Sequence, residues 1–221
     1  MDAKQAAAHK AVEYIKDGMV VGLGTGSTAY WAIQYLAERV KQGLRVTTVA
    51  TSAETEKIAR ECGIVVEEID SVGSIDIDID GADEIDAGMN LVKGGGGALL
   101  REKIVAAASR EFIVIAGGNK RVDTLGKFPL PVEVIPFGWK HTAKQLAALG
   151  CTPSLRKKDG QNFITDSGNY IIDCHFGSIP EPATLQQQIN NIAGVVENGL
   201  FVKMATRVVL GYDDGTTKEF F

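Results

Sequence analysis

The sequence is short of proline, histidine and cysteine, and each shortage excludes something. Six prolines in 221 residues rule out a Pro-rich disordered chain. The three cysteines, Cys62, Cys151 and Cys174, are odd in number and form no CxxC. They read as free thiols of a reducing cytoplasm, with neither a disulfide framework nor a zinc site expected. The histidines, His9, His141 and His175, form no HExxH and no metal-ligand pair, so no metal site is expected. No GxSxG nucleophile elbow is present. No apolar run approaches the ~20 residues of a membrane span. The opening segment MDAKQAAAHKAVEYIKDG is charged and has no apolar h-region, so neither a membrane partner nor a secretory signal is expected. Net charge is −5 with no long basic run, so a nucleic-acid partner is not expected. A small anion remains open, since local loops bind one against the global charge.

Glycine is what the chain has in excess. It holds 25, where average usage of about 7% gives roughly 15. Nine lie in three clusters: Gly22, Gly24 and Gly26; Gly94 to Gly97; and Gly117 with Gly118. These fall in strand-end loops, where bare backbone can approach a ligand closely.

Periodicity predicts helices over 2–16 and 28–42, from Ser52 to Cys62 with Gly63 as the stop, and after Gly97. Apolar or β-branched runs at Met19–Leu23, Arg45–Ala50, Ile64–Ile69, Ile75–Asp80 and Phe112–Ala116 predict strands. Such alternation indicates an α/β fold, a Rossmann-like, mostly parallel sheet with helices on both faces. The pattern changes after Lys127. A Pro-punctuated stretch over 129–136 is followed by a helix near 139–149 and strands near 151–157. A hairpin across 162–175, turning at Ser167-Gly168-Asn169, a helix near 182–192 and a strand over 195–202 complete it. The βαββαβ order predicts a smaller α+β, ferredoxin-like domain. The division is 1–128 with 206–221 for the catalytic domain, to which the strand Arg207–Tyr212 returns, and 129–205 for the small one.

Four loops can carry chemistry. Gly22-Leu23-Gly24-Thr25-Gly26-Ser27-Thr28 joins a strand to a helix. It is not a dinucleotide fingerprint. Ser27 stands where GxGxxG needs glycine, and the second strand ends Ala50-Thr51-Ser52 without the required acid. No Walker A loop exists. A glycine turn with hydroxyls at a helix N-terminus suits a phosphate; it also reads as a plain capped turn. In Ile75-Asp76-Ile77-Asp78-Ile79-Asp80-Gly81-Ala82-Asp83-Glu84, alternation puts isoleucines on one face and aspartates on the other. A calcium loop fails because its twelfth position is Ala87 and its flank is a strand. Asp80, Asp83 and Glu84 fall at the carboxyl end of that strand, where open α/β sheets place ligands. Crowded carboxylates suit acid/base work there, and a solvated acidic strand end is the plain alternative. In Lys93-Gly94-Gly95-Gly96-Gly97, backbone amides and a cation can meet an anion. Glu102, one turn into the helix that Ala98 begins, reads equally as a catalytic carboxylate or a surface residue. Lys120 follows Ala116-Gly117-Gly118-Asn119 at another strand end, a common place for lysine.

Taken together, GLGTGST (22–28), DIDGADEID (78–86), KGGGGALLREK (93–103) and LGKFPLPVEVIP (125–136), in this order and spacing, resemble type A ribose-5-phosphate isomerase over essentially the whole chain. The resemblance implies a cofactor-free aldose–ketose interconversion of ribose 5-phosphate and ribulose 5-phosphate through an enediolate. The implied partners are a small-molecule sugar phosphate and a second copy, as a homodimer or a dimer of dimers. Position by position, it implies Glu102 as general base with catalytic roles for Asp80, Asp83 and Lys93. Substrate contacts are implied for Thr25, Gly26, Ser27, Thr28, Asp80, Gly81, Ala82, Asp83, Lys93, Gly94, Gly95, Gly96 and Lys120. Lys4 matches an N-terminal phosphate-contacting lysine. The chain departs at Gly117-Gly118-Asn119, where an acidic or serine-bearing turn is expected.

Two other readings share this architecture. A deaminase-like or CoA-transferase-like relative differs in signature residues from the DGADE and KGGG segments. A sugar-phosphate-binding sensor normally carries a helix-turn-helix ahead of it, and about 18 residues before the first strand are too few for one.

Overall fold

β-branched and apolar runs become strands where both faces of a sheet can be covered, and five such runs here lie parallel. Thr47–Ala50, Val20–Leu23, Ile75–Gly81, Ser109–Gly117 and Arg207–Gly211 follow one another across the sheet, and Thr217–Phe220 closes its edge antiparallel. The structure is a computed structural model and describes residues 1–221. Its contacts divide the chain into two compact units, Met1–Ala82 with Arg101–Lys120 and Lys203–Phe221, and Asp83–Leu100 with Arg121–Val202.

The first unit holds the parallel sheet. From Val20–Leu23 the chain passes through the helix Ser27–Lys41 to Thr47–Ala50 on one side. It returns through the helix Ala53–Glu61 to Ile75–Gly81 on the other side. This reversal is a topological switch point, and open α/β sheets bind ligands outside the carboxyl ends of the strands at such points. Val21, Leu23, Ile77, Ile79, Ile113 and Ile115 form one core with the helices. The helix Ala3–Val12 presents Ala7, Ala8 and Ala11, all without exposed surface, so small side chains let it lie close on the sheet. Its start is fixed by a capping box: Asp2 accepts from the Gln5 amide at 2.8 Å and Gln5 accepts from the Asp2 amide at 2.9 Å. Ser52 caps Ala53–Glu61 by accepting from the Thr55 amide at 3.1 Å, as predicted.

The second unit is built on four antiparallel strands in the order Val195–Asn198, Leu130–Val134, Tyr170–His175, Thr152–Leu155. With the helices Trp139–Ala147 and Pro182–Asn190 this is the βαββαβ arrangement expected from sequence. Cys151 and Cys174 are buried among its apolar residues as free thiols. A second, three-stranded sheet joins Glu84–Ile85, Leu91–Val92 and Leu200–Phe201.

Three sequence expectations differ from the structure. The segment Asp83–Leu100 falls in the second unit, whereas the sequence division placed it in the catalytic domain, because Leu91–Val92 pairs with Leu200–Phe201. The run Ile64–Ile69 makes one bridge, Val66 with Thr48, and then enters the 3-10 turn Ile69–Ser71 instead of forming a strand. The hairpin expected across 162–175 is instead a shorter one, Lys157–Lys158 with Gln161–Asn162, turning at Asp159-Gly160. Both turn residues have positive φ, the geometry that an Asp-Gly pair favours. The turn at Ser167-Gly168-Asn169 exists, but Glu133 captures Thr165 Oγ1 and Asn169 Nδ2, both at 2.9 Å, and holds this segment in a loop.

Candidate active site

Three neighbouring parallel strands of the first unit, Val20–Leu23, Ile75–Gly81 and Ser109–Gly117, end on the same edge of the sheet. Their carboxyl ends carry the Thr25–Thr28 loop, Gly81 with Ala82, and the 3-10 turn Gly118–Lys120 that brings Lys120 to this edge. Loop residues predicted as substrate contacts are thereby gathered at the switch point.

The helix Ser27–Lys41 starts at Gly26, whose φ of +107° suits glycine and which offers no side chain to cap the first turn. The positive helix end is thus presented without an internal carboxylate or hydroxyl cap. Lys4 Nζ donates to Ser27 Oγ at 2.9 Å from the exposed face of Ala3–Val12. An ammonium, a hydroxyl and a helix N-terminus therefore converge, which is the chemistry of a phosphate site. Thr25 behaves differently from Ser27. Its hydroxyl lies 2.7 Å from Thr51 Oγ1, 2.9 Å from Ser52 Oγ and 3.2 Å from Thr55 Oγ1, turned into the protein.

The aspartates of Ile75–Gly81 meet alternate positions of the neighbouring strand. Asp76 Oδ2 accepts from the Val20 amide at 2.9 Å. Asp78, fully buried, fills the space beside Gly22, where a Cβ would lie 2.5 Å from its Oδ1. Asp80, also fully buried, lies where a Cβ on Gly24 would have to go. Asp80 Oδ1 accepts from the amides of Thr25 at 3.1 Å and Gly81 at 2.6 Å. This corrects the reading of the first glycine cluster: Gly22 and Gly24 admit buried carboxylates, and Gly26 is the one at the helix start. It also settles against a solvated acidic strand end for Asp78 and Asp80.

Glu102 stands in the first turn of the helix Leu99–Ala108 and is 3% exposed, while Ile104 two residues on is 48% exposed. The plain reading of Glu102 as a surface residue does not hold. One turn further, Val105 packs at Gly22, so the lack of a side chain there also lets this helix approach the strand.

The second unit holds Asp83, Lys93 and the Gly94–Gly97 loop. Asp83 Oδ2 accepts from the Gly95 amide at 2.8 Å. Lys93 is 2% exposed and its Nζ sits 5.3 Å from the centre of the Phe201 ring, a cation–π distance. Its own amide donates to Gly199 O at 2.9 Å. Gly95 and Gly96 are exposed and Gly94 and Gly97 buried, the latter against the Phe163 ring. Glu84, one residue past Asp83, accepts from the amides of Gly126 and Phe128, both at 2.7 Å. It latches the loop that carries Leu125-Gly126-Lys127-Phe128 and is committed to structure.

Two supports of the site escape sequence reasoning. Arg156 Nη1 donates to Gly94 O at 2.8 Å and Gly95 O at 3.1 Å, while its guanidinium pairs with Asp173. Nothing local to Arg156 signals a partner that far back in the chain. Of the hydroxyl set Thr51, Ser52 and Thr55, only Ser52 is legible in the sequence, as the start of a helix.

The sequence profile of the family described as ribose 5-phosphate isomerase A (phosphoriboisomerase A) matches residues 47–215. Ribose-5-phosphate isomerase A 1 of Oceanobacillus iheyensis is 50% identical over 212 residues, covering 96% of this chain and 95% of its own. Ribose-5-phosphate isomerase A of Bacillus cereus is 52% identical over 216 residues, covering 97% and 98%. Among solved structures, a D-ribose-5-phosphate isomerase in complex with phospho-erythronic acid superposes with a TM-score of 0.96 at 39% identity, covering 100% of this chain and 99% of that one. The enzyme of Methanocaldococcus jannaschii gives 0.93 at 41% identity, covering 98% and 97%. Relatives and solved folds run along nearly the whole length and the profile along residues 47–215, and the chain belongs to the ribose 5-phosphate isomerase A family.

Proposed function

We propose that this chain interconverts ribose 5-phosphate and ribulose 5-phosphate by proton transfer, with Glu102 as the base. The Glu102 carboxylate takes the proton from C2 of the open-chain aldose. The C–H electron pair forms the C1=C2 bond, and the carbonyl pair moves onto O1, giving an enediolate. Glu102 then returns its proton to C1 while the O2 proton passes to O1, which leaves the ketose. Lys93 and the amides of Gly94, Gly95 and Gly96 supply positive charge and donors for the oxyanion. Asp80 and Asp83, with Gly81 and Ala82 beside them, serve the hydroxyls and the proton exchange of ring opening. Gly26, Ser27, Thr28, Lys4 and Lys120 hold the phosphate, and Thr25 holds the loop in place. The observation that carries this reading is the burial of the Glu102 side chain, 3% exposed, in the first turn of the helix Leu99–Ala108. The reported complex of a structural relative with phospho-erythronic acid, an acidic sugar phosphate, is in keeping with it.

The chain has no helix long and apolar enough to cross a membrane, and we place it in the cytoplasm as a homodimer or a dimer of dimers on the strength of the family likeness. The sensor and deaminase-like readings are not favoured by the relatives. The test is turnover of ribose 5-phosphate in deuterium oxide. The proposal expects ketose formation with solvent deuterium bound to carbon at C1. A product formed without carbon-bound deuterium would show hydride transfer or a fully shielded proton and would remove an exchangeable base.

A further inference from the structure

We propose that Thr51, Ser52 and Thr55 are positioning residues that set both the phosphate loop and the Asp80 carboxylate. The inference rests on the isomerase reading above and on the phosphate role of Ser27 and Thr28. Its observation is where the polar groups of residues 23–25 go. Thr51 Oγ1 donates to Leu23 O at 3.0 Å, and Thr55 Oγ1 donates to Gly24 O at 2.9 Å. The Gly24 amide donates to Ile79 O at 3.0 Å. Thr25 Oγ1 sits among Thr51, Ser52 and Thr55 hydroxyls at 2.7, 2.9 and 3.2 Å, and Ser52 Oγ reaches Thr55 Oγ1 at 3.1 Å. Thr51, Ser52 and Thr55 are all buried, so this cluster is shielded from water.

Every polar group on this side of the loop is spent inside the protein up to the Thr25 amide, which donates to Asp80 Oδ1. Buried hydroxyls joined this closely polarise one another and fix a single arrangement. The consequence is a short connected path. The end of Thr47–Ala50 and the first turn of Ala53–Glu61 hold Thr25, and Thr25 holds Asp80 through its amide. The amides from Gly26 onward are left to face the ligand. A hydroxyl lost at position 55 therefore loosens Gly24 O and Thr25 together. It weakens phosphate binding and misorients Asp80 without removing any group that touches substrate.

The experiment compares wild type, Thr55→Val, Thr55→Ser and the double variant Ser27→Ala with Thr28→Ala. The readouts are kcat and KM for ribose 5-phosphate, the dissociation constant of inorganic phosphate, and Tm. Thr55→Val keeps the shape and loses the hydroxyl. It is expected to raise KM and the phosphate dissociation constant about fivefold or more and to lower kcat about threefold or more. Thr55→Ser is expected to restore all three to within about twofold. A Thr55→Val enzyme that loses Tm but keeps KM, kcat and phosphate affinity would show a merely structural hydroxyl and overturn the proposal. Should Thr55→Val fail to fold, Ser52→Ala is read in the same way. If Ser27→Ala with Thr28→Ala leaves phosphate affinity unchanged, the phosphate reading of the loop fails instead, and the positioning proposal fails with it. If that double variant weakens phosphate and Thr55→Val does not, the positioning proposal alone is wrong.

Discussion

Gly24 is bare because Asp80, on the neighbouring strand, occupies the space a side chain would need. The same relationship joins Gly22 to Asp78 one step earlier along the two strands. Two glycines two residues apart and two aspartates two residues apart are one feature, since a pleated strand turns every second residue to the same face. A methyl group at position 24 must displace a buried carboxylate. Gly24→Ala is expected to cost roughly 1–3 kcal/mol by overpacking, lowering Tm by about 2–10 °C, and to reduce kcat by misplacing Asp80. Gly73→Ala, where a Cβ meets nothing within 4 Å, is the control and is expected to be near neutral. Thermal unfolding and turnover of the two variants check this.

Lys4 is expected to bind the phosphate through charge. Its ammonium already lies 2.9 Å from Ser27 Oγ. A charge-assisted hydrogen bond contributes about 1.5–3 kcal/mol. Lys4→Met is therefore expected to raise KM for ribose 5-phosphate roughly tenfold or more while changing kcat less, and to flatten the dependence of KM on salt. An unchanged KM would detach Lys4 from the site.

The closing strand gives a pH prediction for stability. Burial pushes the Glu219 carboxyl up. Hydrogen bonds from the Tyr14 hydroxyl at 2.6 Å and the Arg207 guanidinium at 2.9 Å, with the charges of Lys10 and Arg207, outweigh it and hold the carboxyl below its ordinary value of 4.5. The fold therefore favours the ionised form. That stabilisation is whole above about pH 4.5 and is lost as pH falls through the lowered folded value. Glu219→Gln is expected to be less stable than wild type at pH 7, with the gap closing on acidification. Denaturant unfolding of both proteins at pH 7, 5 and 3 measures it, and a gap that persists at pH 3 would contradict the account.

Much of this fold is legible in the sequence, because periodicity reports which faces are buried. The parallel sheet, its helices and the βαββαβ order all follow from runs such as Ile75–Gly81 and from signals such as Ser52 and Gly63. What is missed is what long-range pairing decides. Ile64–Ile69 has the composition of a strand, yet only Val66 finds a partner. The sequence division places Asp83–Leu100 in the first domain, and the pairing of Leu91–Val92 with Leu200–Phe201 draws it into the second unit. At the site, the sequence shows the right loops but not the division of labour within them. Thr25 and Ser27 are both hydroxyl residues two positions apart, and only the fold shows one turned inward to Thr51 and the other outward to Lys4. Glu84 and Asp83 are adjacent acids, and only the fold shows Glu84 tied to the Gly126 and Phe128 amides.

The most direct test of the central claim is the ribose 5-phosphate to ribulose 5-phosphate rate of Glu102→Gln beside wild type, with and without EDTA, on protein shown to be folded by its Tm. Glutamine keeps the size and buried position of the side chain but cannot take up the C2 proton. The account predicts wild-type turnover unaffected by EDTA and a kcat lower by roughly 10²-fold or more in the variant, as for loss of a general base. A folded Glu102→Gln enzyme that turns over at near the wild-type rate would contradict it.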